Sequence, residues 1–553
     1  MVPQSQKSNF YFYLVQRSQK VILAAVLMGS IAGISSTGLI ALINHLANDG
    51  LHGQFLTFLS GFAGLIIIRL IAGVMSKVML IQLAQNIICE LRLALSRKIL
   101  DSPLSRFEQI GIPRMMAALT DDIVTLSETF GAIPILCIDL SIMIACMVYL
   151  GWLTLHLLLM TLMFIVFGVI SYRWLANKGL RRLALARQKE NTLFEYLRAM
   201  TEGFKELKLN AARREEFFGG YLRNSAEDYR NLNIGALRIF AFADGWGEML
   251  FFIPVGLALF LLPSISIVPQ QVLWGYVITI IYLIGPLGNI VNLLPGIGRS
   301  YVAVQNINWL ESYLASESKK TDMSNTVQDF GWQELKLIDI CYSYQGNGQE
   351  KGFKVGPVNL SLYPGELLFI TGGNGSGKST LAKLITGLYT SETGEIFLNG
   401  TCVCTENKAW YNQYFSVIFA DYYVFDRLIG IDRDEAASKA DAYLRWLGLE
   451  NKISIVDGEF STTKLSSGQR RRLAMLSALL EDRPIYVFDE WAADQDAEFR
   501  EMFYAELLPT LKGRGKGVVV ISHDERYFSS ANRIIKLDYG KMVADELRPI
   551  VTA

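Results

Sequence analysis

The stretch FITGGNGSGKSTLAKLITG, residues 369–387, has the residue types of a phosphate-binding site. The pattern G-x-x-x-x-G-K-[ST] is filled by Gly372, Gly377, Lys378 and Ser379. Small residues allow successive backbone N–H groups to converge on phosphate oxygens at a helix N-terminus, where the helix dipole favours anions. Lys378 is expected to reach the outer phosphates, and Ser379 to bind Mg²⁺. The spacing therefore predicts a site for ATP and magnesium.

A second apolar segment supplies the groups that hydrolysis requires. RPIYVFDEWAAD (483–494) predicts a buried strand that ends at Asp489 and Glu490. We expect Asp489 to hold Mg²⁺ through water, and Glu490 to orient or deprotonate the attacking water. VVVISHD (518–524) repeats the pattern and places His523 to sense the γ-phosphate. Such a strand is common alone, but downstream of a phosphate loop it predicts an ATPase.

A third segment, KLSSGQRRRLAMLSALL (464–480), opens a predicted helix. The hydroxyl and backbone donors at its start are expected to face an anion. The residues expected to contact nucleotide here are Ser466, Ser467, Gly468 and Gln469. In the phosphate loop they are Gly372, Asn374, Gly375, Ser376, Gly377, Lys378, Ser379 and Thr380.

The elements that must position these groups follow from local sequence. LLFIT (367–371) predicts a buried strand, and STLAKLITG (379–387) a helix ended by Gly387. Upstream the composition differs: the whole chain is 51% hydrophobic and 19% charged, with a mean hydropathy of +0.28. These values indicate a membrane protein with a soluble part.

Six apolar runs are long enough to cross a bilayer. They lie at 21–43 and at about 55–76, 133–150, 152–172, 246–263 and 272–294. Lys and Arg are absent from 21–68, 115–172 and 239–298 and crowd the segments between them. Because cationic loops stay in the cytoplasm, both termini and two long loops are expected inside, with helices continuing into those loops. This predicts a multi-pass protein of the bacterial inner membrane.

Four ionisable residues fall in or near the spans. They are Arg69, Asp139, Asp244 and Glu248. Arg69 is interpreted as structural or interfacial, since it can snorkel to the inner interface. For Asp244 and Glu248, contact with a transported compound and a position below the membrane are both open.

Charge and cysteine content exclude several classes of function. Lys+Arg and Asp+Glu both number 52, so the chain has no cationic excess for nucleic acid. The six cysteines show no paired metal-binding spacing, and Cys402 and Cys404 are interpreted as strand or turn residues.

The composition predicts five segments. They are a cytoplasmic segment at 1–20, a transmembrane domain at 21–315, a linker at 316–330, a nucleotide-binding domain at 331–546 and a tail at 547–553. The predicted fold class is an all-α six-helix transmembrane domain followed by an α/β P-loop domain.

These motifs, in this order after six spans, resemble the ATP-binding cassette exporters. The resemblance covers nearly the whole chain and implies a half-transporter with one membrane and one nucleotide-binding domain. It implies that Tyr344 stacks on adenine, with Tyr342 as the alternative, and that Ala493-Asp494-Gln495-Asp496 connects the two ATP sites. Asp496 is therefore a further predicted nucleotide-site residue. Ala420 stands where the family has a glutamine, and Asp421 is the candidate replacement.

The resemblance also implies an assembly. In this family each phosphate loop closes on the partner's signature, so a homodimer embedded in membrane lipid is expected. Short helices near 101–110 and 202–209 would transmit the movement that switches the spans from inward-open to outward-open.

One branch of the family is the most similar in two features, the segment FDEWAADQD and Ala420 in place of the glutamine. It is the branch of bacterial cyclic peptide and siderophore exporters, including the pyoverdine and lipopeptide types. The two features imply a peptide-like amphipathic substrate, and a periplasmic partner stays open. Other functions are a flippase of lipids or lipid-linked sugars and an ATP-gated channel or membrane regulator. A soluble cassette ATPase acting on ribosomes or DNA would lack six spans and show basic patches.

Overall fold

The structure is a computed structural model that describes residues 19–49, 55–261, 269–315, 331–344, 352–431 and 433–547. The chain divides into two compact units. The first comprises Met1–Arg97 and Pro113–Ser312, and the second Lys98–Ile112 and Tyr313–Ala553. The predicted linker at 316–330 and most of the predicted N-terminal segment and C-terminal tail lie outside the described residues.

Long helices build the first unit. They are α1 (Gln19–Asp49), α2 (Phe55–Leu100), α4 (Ile112–Leu153), α5 (Leu155–Glu202), α7 (Ala211–Phe260) and α8 (Gln270–Ala315). All six are long and apolar enough to cross a membrane, which confirms the six predicted spans. With 46 residues in α2 and 48 in α5, these helices exceed the ~20 residues that a bilayer requires. The predicted extension of the spanning helices is therefore confirmed.

Two short helices stand where the tips of the long inner loops were expected. They are α3 (Leu104–Ile110) and α6 (Phe204–Leu209). By its contacts α3 belongs to the second unit, whereas α6 belongs to the first.

Small residues allow close helix packing inside the membrane unit. A Cβ at Gly33 of α1 would lie 2.7 Å from the Cβ of Ser141 on α4. Nearby, the hydroxyls of Ser30 and Ser141 lie 3.2 Å apart. This combination of small residues and interhelical hydrogen bonds is typical of packing in lipid.

The second unit is an α/β domain, as predicted. Its strands are β1 (Leu335–Ser343), β2 (Lys354–Leu362), β3 (Leu367–Gly372), β4 (Thr393–Leu398), β5 (Thr401–Cys402), β6 (Phe415–Ile418), β7 (Ile455–Val456), β8 (Glu459–Phe460), β9 (Ile485–Asp489), β10 (Gly517–Ile521), β11 (Arg533–Asp538) and β12 (Lys541–Leu547). Its further α-helices are α9 (Lys378–Ile385), α10 (Lys408–Asn412), α11 (Arg433–Trp446), α12 (Ser467–Glu481), α13 (Ala497–Met502) and α14 (Leu508–Gly513).

The central sheet has the strand order β12-β11-β3-β10-β9-β6. Strand β3 is parallel to both of its neighbours, and β10 is parallel to β9. The residues of β9 and β10 are all buried, which agrees with their continuous apolar sequence. Parallel strands bring their carboxyl ends to one edge, where the loops after β3, β9 and β10 meet.

Candidate functional site: a nucleotide site and a membrane cavity

The phosphate loop follows β3 and leads into α9, in the predicted strand–loop–helix order. Gly372 has φ +147° and Gly377 has φ +100°, in the region that favours glycine. A Cβ at Gly372 would lie only 2.2 Å from the carbonyl oxygen of Leu537. The first and last glycines of the motif are therefore required by backbone conformation.

A buried cation and an unpaired hydroxyl lie within this loop. Lys378 is only 5% exposed, and its Nζ donates to the carbonyls of Gly372 at 2.9 Å and Gly373 at 3.0 Å. The buried Oγ of Ser376 has no hydrogen-bond partner among the described residues. Both groups can form hydrogen bonds to phosphate, so the loop fits the β- and γ-phosphates of a nucleotide.

The residues around Asp489 fit a magnesium ion. Asp489 is 2% exposed, and within the part of the chain that the structure describes its buried Oδ1 has no hydrogen-bond partner. Burial raises the pKa of its carboxyl, although hydrogen bonds from the Ser379 hydroxyl and the Ala420 backbone oppose the shift. Among the described residues no group of three or more His, Cys, Asp or Glu could hold a metal ion. One carboxylate and one hydroxyl, completed by substrate phosphates and water, is a set that Mg²⁺ favours.

Glu490 and His523 meet at the ends of neighbouring strands. Asp489 of β9 pairs in register with Ile521 of β10, so the residues that follow are also adjacent. His523 Nε2 lies 3.3 Å from Glu490 Oε1. Glu490 adopts φ +52°, an uncommon conformation for a residue with a side chain. Both side chains remain partly exposed, as reaction with a bound nucleotide requires.

The signature segment begins α12 with a capping box. The Ser466 hydroxyl accepts a hydrogen bond from the backbone of Gln469, whose side chain accepts one from the backbone of Ser466. The Ser466 hydroxyl oxygen and the Gln469 side chain therefore already have partners within the helix. Ser467 is exposed at the first helical position. Hydrogen bonds of Ser467 and Gly468 run to Tyr422 and Gln495, and none within the described chain runs to the phosphate loop.

Two arginines that sequence reasoning missed join the signature helix to the loop after Glu490. Arg471 donates to the carbonyl of Glu490 at 2.6 Å and pairs with Asp494 at 3.0 Å. Arg472 pairs with Asp496 at 2.8 Å. The signal was present as three consecutive arginines directly after the signature. Asp496 also caps α13, so its carboxylate is committed within its own chain.

Tyr344 lies beside the phosphate-loop helix. Its hydroxyl is 3.0 Å from Thr380 Oγ1, and the residue is 37% exposed. Tyr342 instead stacks on Tyr389 with ring centroids 4.6 Å apart. Of the two tyrosines, Tyr344 therefore offers a ring face to a base.

The membrane unit contains a cavity of about 370 Å³ between α5, α7 and α8. Its lining includes Asp244 and Glu248, which the sequence singled out, together with Asn289. Asn289 donates to the carboxylate of Asp139 at 2.9 Å, and Asp139 is only 7% exposed.

The polar side chains are set in an apolar wall. Phe251 of α7 lines the cavity, while Trp246 of the same helix donates to Ser171. No described lining residue is Lys, Arg or His. The cavity is therefore mainly apolar, with an acidic pair of which Asp244 accepts a hydrogen bond from the Tyr172 hydroxyl at 3.4 Å.

Six long apolar helices and a parallel-sheet unit with a phosphate loop define a membrane protein that works with a nucleotide. Profiles of known families agree: the ABC transporter transmembrane region matches residues 20–290, and the ABC transporter domain matches residues 355–493. The chain belongs to the ABC transporter family and is an exporter that couples ATP hydrolysis to transport. The predicted resemblance to ATP-binding cassette exporters, the predicted fold class and the predicted ATPase activity are confirmed.

Three comparisons with individual proteins give the range of relatives. The chain is 34% identical to ATP-binding protein SyrD of Pseudomonas syringae pv. syringae, over 94% of this chain and 93% of that protein. It is 25% identical to an ATP-dependent lipid A-core flippase of Dechloromonas aromatica, over 94% of this chain and 91% of the flippase. A bacterial Atm1-family ABC exporter solved with ATP bound has the same fold, with a TM-score of 0.70 at 15% identity, covering 96% of this chain and 95% of that one.

Proposed function

We propose that two copies of this chain form an exporter that moves a peptide-like amphipathic compound with a positive charge from the cytoplasm to the periplasm. The compound would be a cyclic peptide, a siderophore or a precursor of one. The observation that carries this proposal is the apolar cavity with Asp244 and Glu248 and no described basic lining residue. The spans would lie in the bacterial inner membrane with both termini inside, because basic residues crowd the loops on that side.

Within the nucleotide site, each residue keeps the role that its chemistry suggests. Mg²⁺, when bound with ATP, would neutralise phosphate charge in the transition state. Ser379 and Asp489 would hold the ion, Lys378 would bind the outer phosphates, and Glu490 would orient the attacking water. His523, whose Nε2 lies 3.3 Å from Glu490 Oε1, would fix that carboxylate and respond to the γ-phosphate.

The proposal of a homodimer rests on the signature segment, residues 466–469 at the start of α12. Within the described chain, the backbone carbonyls of Ser467 and Gly468 accept hydrogen bonds from Tyr422 and Gln495, so the N–H and hydroxyl donors of these two residues would serve a partner's nucleotide. A second copy would supply the missing half of each site. ATP would then bind the closed dimer more tightly, and hydrolysis would release it, which drives alternating access.

Cavity chemistry distinguishes between substrates. Ligand sites are mostly apolar with a few placed polar groups, and volumes of roughly 300–1,000 Å³ are usual. The cavity of about 370 Å³ would hold part of an amphipathic compound. Asp244 and Glu248 would attract an ammonium or guanidinium group and repel a lipid phosphate. The charge therefore favours a cationic peptide over the anionic lipids that a flippase moves.

The test is ATP-dependent uptake into inside-out vesicles. Cationic cyclic lipopeptides and peptide siderophores are compared with lipid-linked sugars and phospholipid analogues. A fourth probe is the same lipopeptide with its amines acetylated, which removes the positive charge and retains the apolar parts.

We expect uptake of the cationic peptide, weaker uptake of its acetylated form and no ATP-dependent movement of the lipids. If only lipids move, the flippase replaces this proposal, and the lipid A-core flippases among the relatives give that outcome its basis. Equal uptake of the two lipopeptides would retain peptide export and remove the charge preference.

A further inference from the structure

The short helix α3 carries a carboxylate that contacts two side chains of the nucleotide-binding unit to which the helix belongs. Oε1 of Glu108 lies 2.7 Å from Nζ of Lys383 on α9. Its other oxygen, Oε2, accepts a hydrogen bond from the hydroxyl of Tyr389. Glu108 thus binds to the helix that follows the phosphate loop and to the turn beyond it.

From Tyr389 a chain of hydroxyls continues into the nucleotide site. The Tyr344 hydroxyl donates to that of Tyr389 at 3.4 Å and lies 3.0 Å from Thr380 Oγ1. With Thr380 as the donor, every hydrogen bond in the series points the same way, from Thr380 through both tyrosines to the Glu108 carboxylate. Aligned hydrogen bonds polarise and strengthen one another.

Burial makes this series costly to interrupt. Tyr389 is 2% exposed, and its ring stacks on Tyr342. Burial, followed by the hydrogen bond to Glu108, raises the pKa of Tyr389, which therefore stays protonated and acts as a donor. Without Glu108 its hydroxyl would lose the charged acceptor, and a buried polar group without a partner is unfavourable.

We propose that Glu108 is a positioning residue for ATP. Through the hydroxyls of Tyr389 and Tyr344 it fixes the orientation of the Tyr344 ring. The contact of α3 with Tyr389 therefore sets the affinity for the adenine base. By linkage, bound ATP would strengthen the contact of α3 with Tyr389 by the same factor by which that contact strengthens ATP binding. This inference goes beyond the proposed substrate, and it rests on the part of the proposed function that assigns base stacking to Tyr344.

The ion pair with Lys383 is a separate contact. It joins Glu108 to α9 and is not part of the series of hydroxyls that leads to Tyr344. If Glu108 had a purely structural role, its replacement would weaken the binding of every ligand of the phosphate loop. If it has a positioning role, its replacement weakens the binding only of ligands that carry a base.

The experiment uses the purified full-length protein in lipid nanodiscs. KM and kcat are measured for MgATP, and inhibition is measured with magnesium tripolyphosphate, which presents three phosphates without a base. The variants are Tyr389→Phe and Glu108→Gln, with Tyr344→Ala as the test of base stacking. The matched control is Tyr313→Phe, which removes a hydroxyl that donates to Gln109 on the same short helix.

We expect Tyr389→Phe and Glu108→Gln each to raise KM for ATP about three- to tenfold, the range of one typical hydrogen bond, because the loss reaches the base only through the Tyr344 ring. Inhibition by tripolyphosphate should be unchanged in both, and Tyr313→Phe should resemble the parent. Because the two residues act in series, the double variant should differ from Tyr389→Phe by less than about twofold.

The outcomes distinguish positioning by Glu108 from base stacking by Tyr344. If Tyr344→Ala raises KM while Tyr389→Phe and Glu108→Gln do not, positioning by Glu108 is wrong and base stacking stands. Equal weakening of ATP and tripolyphosphate would make Glu108 structural and overturn the inference. An unchanged KM in Tyr344→Ala would overturn both.

Discussion

Nε2 of His523 lies 3.3 Å from Oε1 of Glu490, although 33 residues separate them in sequence. Neighbouring parallel strands produce this contact, because Asp489 and Ile521 are in register and each residue follows its strand end. The left-handed conformation of Glu490 is held in part by Arg471, which donates to its carbonyl. The sheet therefore places the proposed base, Glu490, beside His523.

Glu490→Gln should abolish turnover and retain ATP binding. The amide keeps the size of the carboxylate but cannot take a proton, and loss of a general base costs about 10²- to 10⁴-fold in rate. The measurements are ATPase rate, ATP binding and the fraction of closed dimer trapped by ATP. Glu498→Gln, on an exposed position of α13, is the matched control. Near-normal hydrolysis in Glu490→Gln would remove Glu490 from this role.

Asp489→Asn should stabilise the nucleotide-free protein and abolish Mg²⁺-dependent hydrolysis. Because burial raises the pKa of Asp489 in the folded state, its ionised form opposes folding at every pH above that value. The variant should have the higher thermal midpoint at neutral pH, and the difference should shrink as the pH falls through the raised pKa. Asp441→Asn, exposed on α11, is the control. A lower midpoint at neutral pH would contradict this account of the site.

A crosslink should form between the signature of one copy and the phosphate loop of another. Ser376 is buried, so the exposed Asn374 is the better loop position. One copy carries Ser467→Cys and the other Asn374→Cys, with the exposed cysteines Cys89, Cys402 and Cys404 replaced by serine.

ATP should increase the yield of the mixed dimer, since the nucleotide joins the two surfaces. ATPase activity from a monomer isolated in a nanodisc, or crosslinking within single chains only, would argue against a shared site.

Replacing the acidic pair of the cavity should alter transport and spare basal hydrolysis. In Asp244→Asn and Glu248→Gln, the cationic compound should stimulate ATPase only at higher concentration, by about fivefold or more if each carboxylate contributes a charge-assisted hydrogen bond. Basal ATPase without substrate should not change, because the cavity lies in the membrane unit.

Asp228→Asn supplies the matched control, since this residue is on the same helix and pairs with Lys189 outside the cavity. An unchanged concentration dependence in both cavity variants would exclude the pair from substrate binding.

The sequence alone determined the features that depend on local spacing. The phosphate loop requires glycines at a fixed spacing in the chain, so its pattern is readable without a fold, and the structure gives Gly372 and Gly377 positive φ angles that favour glycine. Long apolar runs likewise predict spans, because a backbone in lipid must satisfy its own hydrogen bonds. The strands ending at Asp489 and Ile521 were found for the same reason: buried parallel strands are continuously apolar.

Only the tertiary structure decided which distant residues meet. Arg472 pairs with Asp496, and Glu108 with Lys383, across 24 and 275 residues of sequence. The local sequence around these residues does not indicate either ion pair, since a charged residue on a helix is usually solvated. The cavity is similar: Asp244 and Asn289 face one space because α7 and α8 pack beside α5. Side-chain periodicity gives a helix its apolar faces, but the neighbour that each face meets depends on the packing of the whole unit.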